Sequence, residues 1–239
     1  MDGRLEHGFR ARLRALAEIA GHPDPGEEAE RIVVEARAAA ASAGIAPARA
    51  LADAWLRKLD EVKRAVALGT SSGGMAPWTR FDDAHPPRFL CDPSLGGLAR
   101  WLRATGHEAH LAPEVPGHRL ADEARRRGLA LLTAEAEVLD RRIVADGSLV
   151  VVWVPSALTM PEQLHMVALE LGLTRREPRC MACGGALRPT PKEDVRSRIP
   201  PRTALWKDEY FVCAGCDRLF WRGTHWQRID ETLRQAVAA

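Results

Sequence analysis

The chain contains no run of eighteen apolar residues, so no transmembrane helix is expected. The opening Met1-Asp2-Gly3-Arg4-Leu5-Glu6 holds no apolar signal-peptide core, and no leader is expected there. Cysteine is scarce, at 5 of 239 residues. Four of the five fall into two C-x-x-C pairs and Cys91 stands alone. That pattern suits a reducing cytoplasm better than a disulfide framework. Charge of one sign is not in excess either. A net charge of +2 neither demands nor excludes nucleic acid, so any basic surface must be local. What remains is an ordinary composition, 46% hydrophobic and 28% charged, in a chain long enough for a sizeable buried core.

The sharpest chemical signal is Cys180-Met-Ala-Cys183 followed by Cys213-Ala-Gly-Cys216. Each pair can place two thiolates on one tetrahedral ion, and four thiolates make a closed Zn²⁺ site. Gly184 and Gly185 follow the first knuckle and Gly215 lies inside the second, where the backbone must turn. A closed site offers no open coordination position. The zinc is therefore expected to be structural, and chemistry must be sought upstream.

Three segments follow from periodicity. Residues 1–69 read as helical. Phe9, Leu13, Leu16 and Ile19 recur at helical spacing, a second helix spans Glu27 to Ser42, and a third carries Leu51, Trp55, Leu59, Val62 and Val66. This segment reads as a small bundle or docking module. Residues 70–87, with Thr70-Ser71-Ser72-Gly73-Gly74 and Pro86-Pro87, read as a linker. Residues 88–173 change rhythm. Phe89–Cys91, Ala109–Ala112, Leu129–Thr133 and Leu149–Val154 read as apolar strands. They alternate with helices after Asp92, over Leu120–Arg127, over Glu135–Val144 and from Pro161 to Leu171. That alternation implies an α/β fold with a parallel sheet covered on both faces. Residues 178–239 read as the zinc ribbon and a C-terminal helix.

In such sheets ligands bind beyond the carboxyl ends of the strands. Asp92 follows the first strand, and Glu135 lies just past Leu131-Leu132-Thr133. Carboxylates there can hold Mg²⁺ or Mn²⁺ and position a water for attack on a phosphodiester. The plainer reading is that Asp92-Pro93 is a helix start and that Glu135 sits in a first helical turn. Asp122 and Glu123 are more often solvated surface acids. Arg100 and Arg103, on the helix after Asp92, either face phosphate or line a solvated face. Arg196, Arg198, Arg202 and Lys207 make the best local basic patch.

Several of these residues resemble one family as a set. They are Phe89-Leu90-Cys91-Asp92, Leu98-Ala99-Arg100-Trp101-Leu102-Arg103, Leu131-Leu132-Thr133, Arg179-Cys180-x-x-Cys183-Gly184-Gly185, Val195-Arg196-Ser197-Arg198-Ile199-Pro200-Pro201 and Trp221-Arg222-Gly223-Thr224-His225-Trp226. From about Arg88 to Ile229 the chain resembles the PIN-like RNase family named after the C-terminal domain of the mutator-seven exonuclease protein. The resemblance implies a PIN-like α/β/α sandwich with an appended Cys₄ zinc ribbon and metal-dependent RNA cleavage at the carboxyl edge. By position Asp92 matches the acid after the first strand. Glu135 stands where the family usually has Asp, within Thr133-Ala134-Glu135. The family's acids at the start of the second helix align near Gly117 and His118, with Asp122 or Glu123 one turn on as substitutes. His225 matches a closing Ser-His-Trp-like element and is a candidate phosphate contact, with packing of the ribbon as the other reading.

Two function classes result. The first is a metal-dependent ribonuclease with Asp92, Glu135 and Asp122 or Glu123 on Mg²⁺ or Mn²⁺. Its RNA contacts would come from Arg100, Arg103, Arg196, Arg198 and His225. The second is a catalytically degenerate RNA-binding or protein-interaction module. Under both, a structural Zn²⁺ sits on Cys180, Cys183, Cys213 and Cys216. The expected partners are RNA and, through the N-terminal helices, a protein or a second copy, with no membrane. The expected location is the cytoplasm.

Overall fold

The structure is a computed structural model that describes residues 3–71, 76–221 and 231. Four short parallel strands, β1 (Phe89–Cys91), β2 (Ala109–Leu111), β3 (Ala130–Thr133) and β4 (Val151–Trp153), form one sheet in the order β2-β1-β3-β4. The chain therefore leaves β1 in one direction to make β2, then returns to the other side of β1 for β3 and β4.

Strand alternation divides the apolar runs between two faces. Phe89, Cys91, Ala130, Leu132, Val152 and Val154 pack on one face with α4 (Gly96–Ala104) and α7 (Met160–Leu171). Leu90, Leu131 and Leu149 pack on the other with α5 (Leu120–Arg127). Both faces are buried, which is why these strands lack polar alternation. Helix α5 stops at Gly128, which takes the left-handed conformation. Helix α7 starts with a capping box between Thr159 and Glu162.

The expected helix over Glu135–Val144 is not continuous. It is a 3₁₀ turn over Ala136–Asp140, an extended Arg141 (ψ 138°), and the single-turn α6 (Arg142–Ala145). Side-chain partners account for the break: Asp140 is held by His7 at 3.0 Å, and Arg141 donates to the His118 carbonyl at 3.2 Å.

Helices α1 (Gly3–Ala20), α2 (Pro25–Ala43) and α3 (Pro47–Ala67) form a bundle. The bundle shares its core with the α/β unit, because Trp153, Leu158 and Met166 lie in the same cluster as Phe9, Leu13, Leu51 and Trp55. Each such fully buried side chain contributes about 1.5–3 kcal/mol. Close approach at Trp153 requires a glycine: a Cβ on Gly8 would lie 2.5 Å from the indole. Phe9 meets that indole edge-on at 5.2 Å. Beside it the buried Arg12 donates to the Trp153 carbonyl at 2.9 Å, ion-pairs with buried Glu170 and lies 3.7 Å above the Trp55 ring.

A second sheet, antiparallel in the order β5-β6-β7, comprises β5 (Leu187–Thr190), β6 (Tyr210–Cys213) and β7 (Leu219–Trp221), with the short α8 (Pro201–Ala204) between β5 and β6. The expected C-terminal helix lies outside the described residues. No described helix is long and apolar enough to cross a membrane.

Candidate functional site

The strand order reverses between β1 and β3, and a reversal of this kind opens a crevice at the carboxyl edge. Asp92 leaves β1 at that point, with its backbone N–H bonded to the Leu132 carbonyl at 2.8 Å. Its carboxylate is buried, at 7% exposure, and well occupied. One oxygen accepts from the Ser94 N–H and the Ser94 hydroxyl, each at 2.9 Å, and the other accepts from the Thr133 hydroxyl at 3.1 Å. Asp92 thus caps its own 3₁₀ turn over Pro93–Leu95 and is also tied to the end of β3. A carboxylate offers about four acceptor positions, so one remains for a further partner.

Glu135 follows β3 and is exposed, with its N–H donating to the Thr133 hydroxyl at 3.1 Å. Thr133 therefore ties the Asp92 carboxylate to the Glu135 backbone through one side chain. Asp122 is exposed and faces Arg141 at 3.4 Å. Glu123 is clamped by Arg126 and Arg127, and those hydrogen bonds, with Arg126 foremost, hold its carboxyl down to about 2. Cys91 is fully buried, and burial pushes its thiol up to about 12, so it remains a thiol and packs.

The cysteines behave differently. Among the described residues, Cys180, Cys183, Cys213 and Cys216 are the group of three or more His, Cys, Asp or Glu side chains whose ligand atoms all lie within 4.8 Å of one another. Asp92, Glu135, Asp122 and Glu123 form no such group. The Cys180–Cys216 and Cys183–Cys213 sulfur separations are 3.6 and 3.4 Å. Both are far too long for a disulfide. They are near the roughly 3.8 Å edge of a tetrahedron built on Zn–S bonds of about 2.3 Å. The four thiols can hold a metal such as zinc. Backbone N–H groups already point at sulfur, from Gly185 to Cys183 at 3.4 Å and from Gly215 to Cys213 at 3.3 Å. Burial opposes ionisation of Cys213. The N–H groups of Cys216 and Gly215 and the thiols of Cys183 and Cys180 outweigh that and bring it down to about 6. A side chain on Gly185 would stand 2.9 Å from the Cys213 sulfur, inside the ligand cage.

The basic residues separate into two kinds. Arg100 and Arg196 are exposed and carry no side-chain partner among the described residues. Arg103 corrects the expectation of a phosphate contact. It is buried, at 5% exposure, and donates to the carbonyls of Ala109 at 2.8 Å, Met181 at 3.1 Å and Ala182 at 2.8 Å. It is the strut that seats the first knuckle on β2, a role hidden in sequence because its acceptors are backbone groups far along the chain. Arg198 binds Asp217, just past the second knuckle, and so braces the ribbon. His225 lies outside the described residues.

Trp153 was also missed as a member of this region. Its indole N–H donates to the Ala134 carbonyl at 3.0 Å, which fixes the backbone immediately before Glu135. The one sequence signal was a tryptophan ending an otherwise aliphatic strand.

Comparison with curated proteins and with solved structures finds no match to either. A family model described as the Mut7-C RNAse domain matches residues 87–233, which include the whole four-stranded sheet, the carboxyl edge with Asp92 and all four clustered cysteines. On that match, which covers more than half of its length, the chain belongs to the Mut7-C RNAse domain family.

Proposed function

We propose that the chain is a metal-dependent ribonuclease whose reaction centre is the carboxyl edge at Asp92. The observation that supports this reading is the buried Asp92 carboxylate at the strand-order reversal, joined through Thr133 to the start of the Glu135 segment. Mg²⁺ takes one or two carboxylates and completes its shell with water and substrate phosphate. The free acceptor position of Asp92, with Glu135 two residues past Thr133, suits that sparse donor set. An ion held there would supply charge neutralisation and a water of lowered pKa for in-line attack on phosphorus. Thr133 orients Asp92, and Arg100 on α4 meets the phosphate backbone. Asp122 and Glu123 stand in reserve as further ligands once released from their arginines. The ribbon, held by structural Zn²⁺ in a reducing cytoplasm, grips RNA through Arg196 and its neighbours. The N-terminal helices would take a protein partner or a second copy on the outer side of α2, where Val34 is 53% exposed.

A second reading has its own support. Asp92 already carries three hydrogen bonds, and no three carboxylates gather among the described residues. Such a domain would bind RNA without cutting it. Cleavage of a labelled structured RNA with Mn²⁺ or Mg²⁺, compared with Asp92→Asn, separates the two. The amide keeps an oxygen for Ser94, so the turn survives. The nuclease reading expects ion-dependent cleavage that falls about a hundredfold or more in the variant. Salt-sensitive binding without cleavage by either protein would favour the binding module. Cleavage that survives the substitution would move the active site elsewhere.

A further inference from the structure

Among the described residues Trp206 is the most exposed large apolar side chain, at 81%, and its neighbour Leu205 is 75% exposed. The other described tryptophans, Trp55, Trp78, Trp101, Trp153 and Trp221, are buried or partly buried. Trp206 is nevertheless held firmly by its backbone. Its N–H and that of Lys207 both donate to the Thr203 carbonyl, at 3.2 and 3.1 Å, closing the turn after α8. The buried Tyr210 donates its hydroxyl to the Lys207 carbonyl at 3.0 Å, and Lys192 pairs with Asp208 at 2.8 Å. The turn rests on the ribbon core of Val195, Ile199 and Tyr210 through Ala204. A hydrogen-bonded turn thus presents an indole to solvent.

The surrounding charge identifies what the indole meets. Arg202 lies on α8, whose last residue, Ala204, stands two positions before Trp206. Lys207 follows directly, and Arg196 opens the adjoining 3₁₀ turn. None of these three cations has a side-chain partner among the described residues, whereas the nearby Asp208 and Asp217 are already taken by Lys192 and Arg198. An exposed aromatic face on a segment rich in cations without side-chain partners is complementary to a strand that offers both base faces and phosphates. A duplex hides its base faces, so the complement is single-stranded.

We infer that Trp206 is a base-stacking platform for single-stranded RNA on the zinc ribbon, with Arg202, Lys207 and Arg196 meeting the flanking phosphates. This rests on the reading that the chain acts on RNA and assigns the ribbon its substrate form. It does not depend on cleavage at Asp92.

The test is equilibrium binding of the full-length, zinc-loaded chain, without added Mg²⁺ or Mn²⁺, to a fluorescein-labelled single-stranded RNA 12-mer and to an abasic oligomer of equal length. Stacking of one base is worth about 1–3 kcal/mol, so Trp206→Ala is expected to weaken binding to the RNA about tenfold or more. Trp206→Phe should recover most of that loss. The abasic oligomer should bind the wild type and Trp206→Ala alike. Unchanged RNA affinity in Trp206→Ala would overturn the inference, as would an equal loss on the abasic oligomer. A change of oligomeric state with RNA binding intact would also overturn it and mark a protein contact. RNA binding that depends on Trp206 without any cleavage would sustain the inference while the nuclease reading fails. Cleavage by a chain indifferent to Trp206 would do the reverse.

Discussion

The ribbon gathers four ligand atoms around one point, whereas the acids near the carboxyl edge form no such group among the described residues. Four thiols come within 4.8 Å because each C-x-x-C knuckle delivers a pair locally and one antiparallel sheet brings the pairs together. At the edge, Asp92 and Glu135 arrive on neighbouring parallel strands, while Asp122 and Glu123 sit on α5 and are occupied by arginines. Local spacing fixes the first geometry. The second depends on how a whole sheet is packed.

The energetics follow the same division. The ribbon's buried apolar cluster is Val195, Ile199 and Tyr210, whereas the α/β unit has extensive clusters on both faces of its sheet. Zinc binding to such small modules contributes about 10–16 kcal/mol, and that is folding energy. Chelation, or Cys213→Ser, is therefore expected to abolish the ordered signals of residues 180–221 while those of the four-stranded sheet persist. Residue-resolved hydrogen exchange with and without a chelator measures this. Protection in β5–β7 that survives zinc removal would break the comparison, since packing alone would then hold the ribbon.

The same contrast decides what was legible beforehand. Helix and strand positions over most of the chain follow from apolar periodicity, and the cysteine site follows from spacing and glycines. The interrupted helix at Ala136–Asp140 did not follow, because His7 and His118, both distant in sequence, take the side chains that flank the break. The burial of Arg103 is hidden from periodicity for an equivalent reason: its acceptors are carbonyls of Ala109, Met181 and Ala182. Likewise the N-terminal helices look like a separate module in sequence, since nothing local announces that Gly8 and Arg12 converge on Trp153.

That convergence offers the next largest effect. Burial works against both the Arg12 guanidinium and the Glu170 carboxylate, and each partner favours the charge on the other. Arg12→Ala leaves Glu170 buried without its ion-pair partner and with only the more distant charge of Lys63, which costs about 3–5 kcal/mol. A paired change, Arg12→Met with Glu170→Leu, should recover most of it, because the desolvation cost disappears along with the charge. Urea midpoints of the three proteins measure both expectations. A small loss in Arg12→Ala would mean that the bundle holds to the α/β unit by apolar contact alone. The junction of bundle and sheet would then be simpler than its buried ion pair implies.

The smallest effect lies on the seam between the two regions. His107 is 2% exposed, edge-on to Phe89, and its Nε2–H donates to the Thr174 carbonyl at 3.0 Å. Burial brings its pKa down to about 4, against the Thr174 bond and with help from Arg176. Above an ordinary value near 6.5 both folded and unfolded chains keep the ring neutral, and nothing is lost. As pH falls below that, the unfolded chain takes up a proton that the native chain refuses. Stability then drops between about 6.5 and about 4, by about 3 kcal/mol in full. His107→Gln keeps a donor for Thr174 and cannot titrate. It should therefore begin less stable at pH 7.5 and lose less than the wild type by pH 4.5. Acid also protonates zinc-binding thiolates, so the quantity to compare is the difference between the two proteins in the urea midpoint of the sheet, where that common loss cancels. Parallel pH profiles would mean that His107 charges freely in the fold, and that the seam opens to water before either region unfolds.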